Sequence, residues 1–358
     1  MRNAKLLGVL FLVAIVFVSG CIGGSSEQTQ TRSSSTPSTT LTSQNTPSPT
    51  ENSANTATPA SENSTTLKCE CPKAKPYYPL TIADFAGRNV TIEKEPKKIV
   101  SLAPSITETL YFLGALDRVI GVTKFDDYPP GVQEGREIIG GFSDPNIEVI
   151  ASLEPDLIIG TSMHLKYLDQ LEKIAPVIIL DPKNMDEVYD AIELLGKVLN
   201  QSERAEGVVE FMKAEVADVQ FRVSNKTRPK VLFISWWNPL YVPGNGTFQD
   251  SLIELAGGEN VFHDAKSWAQ VSLEEAVARN PEIIILSAHA GATIDDICNS
   301  PLADTDAVKN GRIYFVSDDN AVSRPGPRLV EALEELSYFI HPEAYGYNFQ
   351  PVTCPVEG

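Results

Sequence analysis

The chain has 358 residues and carries 47 acidic against 29 basic side chains, a formal charge of −18 at pH 7. So acidic a chain lacks the basic face that a nucleic-acid binder needs to neutralise phosphates, and that class is excluded. Hydrophobic residues make up 42%, but the first 80 positions hold one apolar run and then a polar stretch, leaving roughly 270 residues for one large domain or two lobes.

Residues 1–20 read as an export signal. Arg2 and Lys5 supply positive charge, Leu6 to Val18 is apolar, and Val18-Ser19-Gly20-Cys21 places small residues before a cysteine. The apolar run falls short of the ~20 residues that cross a bilayer as a helix, so a cleaved signal is favoured over a membrane span. A cysteine at the cleavage point resembles a lipobox, which implies a lipid on Cys21 and an extracytoplasmic protein anchored to the outer face of the cell membrane. Residues 21–78 then form a Ser/Thr-rich tether. From Gly23 to about Thr66 it holds almost no large apolar side chain, too little to offset ordering entropy, and disorder is expected. Sequons such as Asn89-Val90-Thr91 and Asn245-Gly246-Thr247 matter where the host glycosylates exported proteins.

Beyond Cys21 the cysteines are Cys69, Cys71, Cys298 and Cys354. An even number outside the cytoplasm suggests disulfides, with three connectivities open. Cys69 and Cys71 are too close to pair comfortably with each other, so one or both are expected to reach Cys298 or Cys354. A metal site is the rival reading, disfavoured because Cys-x-Cys lacks the usual spacing and a nearby histidine.

Two later stretches share a plan. In the first, a strand from Lys98 precedes a helix over Ser105 to Leu113 closed by Gly114, and a second helix from Ile147 runs into Pro155-Asp156 and the apolar run to Ile159. In the second, a strand from Lys230 precedes a helix over Phe248 to Ala256 closed by Gly257-Gly258, and a helix from Leu273 runs into Pro281-Glu282 and the run to Ile285. A helix, a proline, an acid and a β-branched run describe a helix feeding a buried parallel strand. The fold class expected is therefore α/β with two similar lobes, residues 79–183 and 227–346. They are joined by a helical linker over 184–226, where Val188, Ile192, Leu195 and Leu199 fall at helical spacing. Residues 347–358 form a C-terminal tail.

Asp84-Phe-Ala-Gly-Arg88, Pro96-Lys-Lys-Ile-Val-Ser-Leu102, Glu108, Leu113-Gly-Ala115, Asp127-Tyr-Pro-Pro130, Glu154-Pro-Asp-Leu-Ile158 and Gly257-Gly-Glu-Asn260 together resemble the helical-backbone periplasmic binding proteins of ABC importers. Asp127-Tyr-Pro-Pro130 and Trp268-Ala-Gln-Val-Ser-Leu-Glu274 look most like the cobalamin-binding branch, and the resemblance covers residues 81 to about 345. It implies a non-enzymatic protein that captures cobalamin or a related corrinoid between its lobes and delivers it to a membrane permease and its ATPase, with a ferric siderophore or haem as the alternative ligand. The corrinoid is then cargo, and no resident cofactor or metal is expected. Gly-x-Ser-x-Gly, His-Glu-x-x-His, Walker and dinucleotide fingerprints are absent from the sequence.

In a two-lobe binder the ligand lies against loops at the carboxyl ends of parallel strands. That places Phe125, Phe142, Thr161 to His164, Trp236, Trp237, Tyr241, Trp268 and His289 near the cleft. By resemblance Phe125, Phe142 and Trp268 match ligand-contacting positions, while Thr161 stands where the cobalamin branch has an aromatic residue. Arg324, in the loop before the last helix, is expected at a polar ligand edge. His164 and His289 each follow a strand of their own repeat, where both could face the cleft. An offset of 126 residues carries Glu148 onto Glu274, each in the first turn of its helix behind a plausible cap, Asn146 or Ser272. The resemblance makes this pair of glutamates the docking points for a two-fold symmetric permease.

Overall fold

The computed structural model describes residues 77–347 and 350–354. The expected signal peptide, Cys21, the tether up to residue 76, Cys69 and Cys71 lie outside the described residues.

A hairpin of β1 (Leu80–Ala83) and β2 (Asn89–Ile92) opens the fold. The N-terminal lobe follows with β3 (Ile99–Ser101), α1 (Pro104–Phe112), β4 (Val119–Val122), β5 (Glu137–Ile138), α2 (Ile147–Ser152), β6 (Leu157–Gly160), α3 (Leu168–Leu171) and β7 (Val177–Ile179). Two long helices come next, α4 (Met185–Val198) and α5 (Ser202–Val223). The C-terminal lobe holds β8 (Lys230–Ile234), β9 (Tyr241–Pro243), α6 (Phe248–Leu255), β10 (Glu259–Asn260), β11 (Trp268–Gln270), α7 (Leu273–Arg279) and β12 (Ile283–Leu286). It ends with α8 (Ile294–Cys298), α9 (Asp306–Lys309), β13 (Ile313–Phe315), α10 (Asp319–Ser323) and α11 (Leu329–Ile340).

Each lobe has a parallel sheet, ordered β5-β4-β3-β6-β7 in the first and β10-β8-β12-β13 in the second. Their strands are continuous apolar runs because both faces are covered. Alternate residues serve different cores. Ile99, Leu157, Val231, Phe233, Ile283 and Ile285 face one core that also takes in Ile192 and Leu195 of α4, Val209 and Met212 of α5, and Leu333 and Leu336 of α11. Val100, Ile158 and Ile179 face a separate cluster in the first lobe, and Leu232, Ile234, Ile284 and Leu286 another in the second. A single apolar core therefore runs from one sheet through the linking helices into the other.

The repeat is visible in backbone detail. Glu154 and Asn280, 126 positions apart, both take left-handed conformations, with φ of 47° and 45°, immediately before a proline. The acid after each proline ties down the first strand of its own lobe: Asp156 Oδ2 accepts from the amides of Lys97 and Lys98 at 3.0 and 3.1 Å, and Glu282 Oε2 accepts from the amide of Lys230 at 2.8 Å. Such charge-assisted bonds fix where strand and helix meet.

The disulfide expectation is corrected. Cys298 pairs with Cys354, with Cα atoms 5.7 Å apart, so neither is available to Cys69 or Cys71. The segment after α11 folds back along the C-terminal lobe, where Val352 N donates to the Gly311 carbonyl at 2.9 Å. That return brings the two cysteines together across 56 residues.

Candidate ligand-binding cleft

Because the strands of each sheet run parallel, the loops at their carboxyl ends collect along one edge, and the strand order reverses beside β3 and β8. Phe125 follows β4, Phe142 follows β5, and the turn Ser162–Tyr167 follows β6. In the other lobe Trp236 and Trp237 follow β8, His289 follows β12 and α10 follows β13. Tyr241 and Trp268 lie on the two-stranded ribbon of β9 and β11, which pairs Trp268 with Pro243 and Gln270 with Tyr241. The ribbon springs from the tryptophan pair, since the Tyr241 amide donates to the Trp236 carbonyl at 2.8 Å.

These side chains divide into two groups. Phe125, Trp236 and Trp268 are about half exposed, at 52, 49 and 48%, and Tyr241 is 37% exposed. These four side chains make the carboxyl edges of the two sheets the candidate interaction surface. Phe142 and Trp237 are half-buried, Phe142 against the core shared by the lobes and Trp237 against the separate cluster of the second lobe. Trp236 and Trp237 are adjacent in sequence yet differ because successive side chains at a strand end point to opposite sides.

Each wall has its supports. In the first lobe Asp126 accepts from the amide and hydroxyl of Thr123 at 2.8 and 2.6 Å, which curls the chain around Phe125. Burial pushes the Asp126 carboxyl above the usual carboxylate range, against those hydrogen bonds. His164 is fully buried, which corrects the expectation that it could face the cleft. Its Nδ1 accepts from the Thr161 amide at 2.9 Å, so the proton sits on Nε2, which donates to the Phe142 carbonyl at 2.8 Å. Burial holds its pKa below the usual histidine range. His164 is thus a prop for Phe142, whose ring it meets edge-on at 5.5 Å.

His289 is exposed, and its Nδ1 lies 2.5 Å from Asp319 Oδ2. Asp319 also accepts from the amides of Ala288 and His289 at 2.8 and 3.0 Å, and the Trp237 amide donates to the Ala290 carbonyl at 2.8 Å. These bonds gather the loops after β8, β12 and β13. Arg324 sits between the lobes, its guanidinium engaged by Glu108 and Asp127 at 2.6 Å each. The sequence reading did not single out Leu165, which with Met163 is exposed on the turn after β6. Among the described residues no group of three or more His, Cys, Asp or Glu is placed to hold a metal ion.

Glu148 and Glu274 are exposed in the first turns of α2 and α7. Asn146 caps one helix by accepting from the amides of Glu148 and Val149, and Ser272 caps the other by accepting from Glu275. The same offset of 126 residues carries Phe142 onto Trp268, so an aromatic residue precedes a first-turn glutamate by six positions in both lobes.

Residues 99–319 match the model of the periplasmic binding protein family. An uncharacterised ABC transporter substrate-binding lipoprotein of Bacillus subtilis, YvrC, is 34% identical over 278 residues, covering 75% of this chain and 87% of the relative. A vitamin B12-binding protein of Pectobacterium atrosepticum is 30% identical over 250 residues, covering 67% and 87%. Among solved structures, a possible iron-binding periplasmic solute-binding protein of Staphylococcus epidermidis superposes with a TM-score of 0.63 at 32% identity, covering 69% of this chain and 100% of that one. The vitamin B12-binding protein BtuF of Vibrio cholerae superposes with a TM-score of 0.62 at 26% identity, covering 70% and 99%. With two parallel-sheet lobes on a helical backbone, the chain belongs to the periplasmic binding protein family, as an extracytoplasmic solute-binding protein that serves the permease and ATPase of an ABC importer.

Proposed function

We propose that the solute is cobalamin or a related corrinoid, held between the lobes by Phe125, Phe142, Trp236, Trp237, Tyr241 and Trp268 and delivered without chemical change. The observation that carries this reading is the set of half-exposed aromatic faces at the carboxyl edges of both sheets. A large flat ring system gains from such faces, since an aromatic side chain buries ~150–250 Å² at about 25 cal/mol per Å² before ordering costs. The relatives described as vitamin B12-binding add to it. A ferric siderophore or haem is the second reading, favoured by the similar structure described as possibly iron-binding. In both readings Glu148 and Glu274 meet basic groups of the permease, and a lipid on Cys21 keeps the protein at the membrane.

The test is a visible spectrum of the purified protein and parallel titrations with cyanocobalamin, ferric haem and a ferric siderophore. Saturable binding of cyanocobalamin at submicromolar concentration is expected. Saturation by haem or siderophore with no response to the corrinoid overturns the reading in favour of the second.

A further inference from the structure

Arg324 ends α10 in the C-terminal lobe and reaches into the N-terminal lobe. Its Nη1 donates to Glu108 Oε1 and to Asp127 Oδ1, both at 2.6 Å, and its Nη2 donates to the Phe125 carbonyl at 3.2 Å. Asn320, four residues earlier, donates to the other oxygen of Asp127 at 2.9 Å. Arg328, four residues later, lies over the Tyr128 ring at 4.2 Å and is held from its own lobe by Asp318 and Glu331. Three side chains spaced four apart therefore grip one short segment, Phe125 to Tyr128, that carries an exposed aromatic wall of the cleft.

A buried ion pair is a poor source of stability, because desolvation offsets the attraction, but it fixes geometry. The Glu108 side chain is 1% exposed and its Oε2 has no hydrogen-bond partner. Arg324 is the nearer of two cations to that carboxylate, at 2.6 Å against 3.9 Å for Arg328 Nη1, and it alone of the two also holds Asp127 and the Phe125 carbonyl. An apolar contact of the same area would bring the lobes together without setting the height of the Phe125 segment.

We propose that Arg324 is a positioning residue: acting through Asp127 and the Phe125 carbonyl, it sets the Phe125 wall of one lobe at a fixed distance from the Trp236 and Trp268 wall of the other before ligand enters. The inference rests on the reading of Phe125 as a ligand-facing wall. Arg324 then governs affinity through the fraction of molecules whose walls are already in place, since apparent affinity falls in proportion to that fraction.

The test uses Arg324→Lys, which keeps a charge beside Glu108 but loses the planar fork, and Asp127→Asn, at a side chain 54% exposed where folding is not at risk. Amide hydrogen exchange is followed at Lys124, Phe125 and Asp126, each hydrogen-bonded in the intact segment, and cyanocobalamin affinity is measured beside it. Both variants should exchange about tenfold faster at these amides, with α1 unchanged, and bind about tenfold more weakly. The double variant should be no worse than Arg324→Lys alone. Unchanged exchange in both single variants overturns the proposal, as does faster exchange with full affinity. If the parent chain binds no corrinoid, the ligand reading fails by itself and the exchange measurement still decides whether Arg324 holds the segment.

Discussion

Phe142 and Trp268 occupy equivalent places in the two lobes, 126 residues apart, yet the phenylalanine is half-buried against the shared core and the tryptophan stands 48% exposed on a two-stranded ribbon. The difference is made by their supports. Phe142 hangs from a buried histidine, whereas Trp268 is held by ribbon pairing. Around them the lobes agree: a side-chain cap, a left-handed residue before a proline, and an acid that ties the first strand. The repeat thus keeps the backbone devices that build a lobe and varies what the lobe shows at the carboxyl edge. Scaffold is the symmetric part of the molecule, and the aromatic display at the carboxyl edge is the asymmetric part.

The largest expected effect tests the symmetric part. Glu148→Lys combined with Glu274→Lys should abolish uptake in vesicles reconstituted with the permease and ATPase while soluble ligand affinity stays near that of the parent, because exposed charges act on encounter and register. Normal uptake would reduce both glutamates to helix-dipole residues worth about 0.3 to 1 kcal/mol. Next comes a staple that the C-terminal lobe has. Cys298→Ser with Cys354→Ser releases a closure spanning 56 residues and should cost about 2 to 5 kcal/mol in denaturant unfolding. A variant as stable as the parent would show that the segment after α11 is held by other contacts.

The two aromatic positions should then separate. Trp268→Ala is expected to weaken ligand binding by about 1 to 3 kcal/mol with little change in thermal midpoint, because its exposed face contributes little to the core. Phe142→Ala should lower stability more than it lowers affinity, since a packed phenylalanine leaves a cavity. Isothermal titration and thermal melts on both variants sharpen the contrast, and equal losses in both quantities would erase it.

The smallest effect concerns the prop. His164 has a folded-state pKa depressed by burial, so below an unfolded value of about 6.5 the unfolded chain binds a proton that the native protein refuses. Stability from this group is therefore intact above that value and is lost as pH falls toward the folded pKa, by at most about 1.4 kcal/mol per pH unit. Thermal midpoints of parent and His164→Gln, compared at descending pH, should converge below about pH 6.5, and parallel curves would remove the histidine from the account.

Much of the scaffold was legible because its signals are local. Caps at Asn146 and Ser272, glycines closing α1 and α6, and apolar runs after Pro155 and Pro281 each concern residues within a turn or two of one another. What escaped was long-range. Arg324 and Glu108 meet across 216 positions, and no periodicity tells which carboxylate a loop arginine will find. The burial of His164 depended on a carbonyl 22 residues away, and the disulfide on a return path taken after α11. Trp237 read as well as Trp236 for the cleft, and the side of the strand end each faces separates them.

The core common to both lobes has a thermodynamic side. Ile192 and Leu195 of α4 touch the same apolar body as Leu157 in one sheet and Ile283 in the other, so neither lobe owns a complete interior that survives removal of its neighbour. Melting should then be a single cooperative event, its calorimetric and van't Hoff enthalpies equal. A substitution such as Leu195→Ala would lower the thermal midpoint of the whole protein without giving one lobe a separate transition.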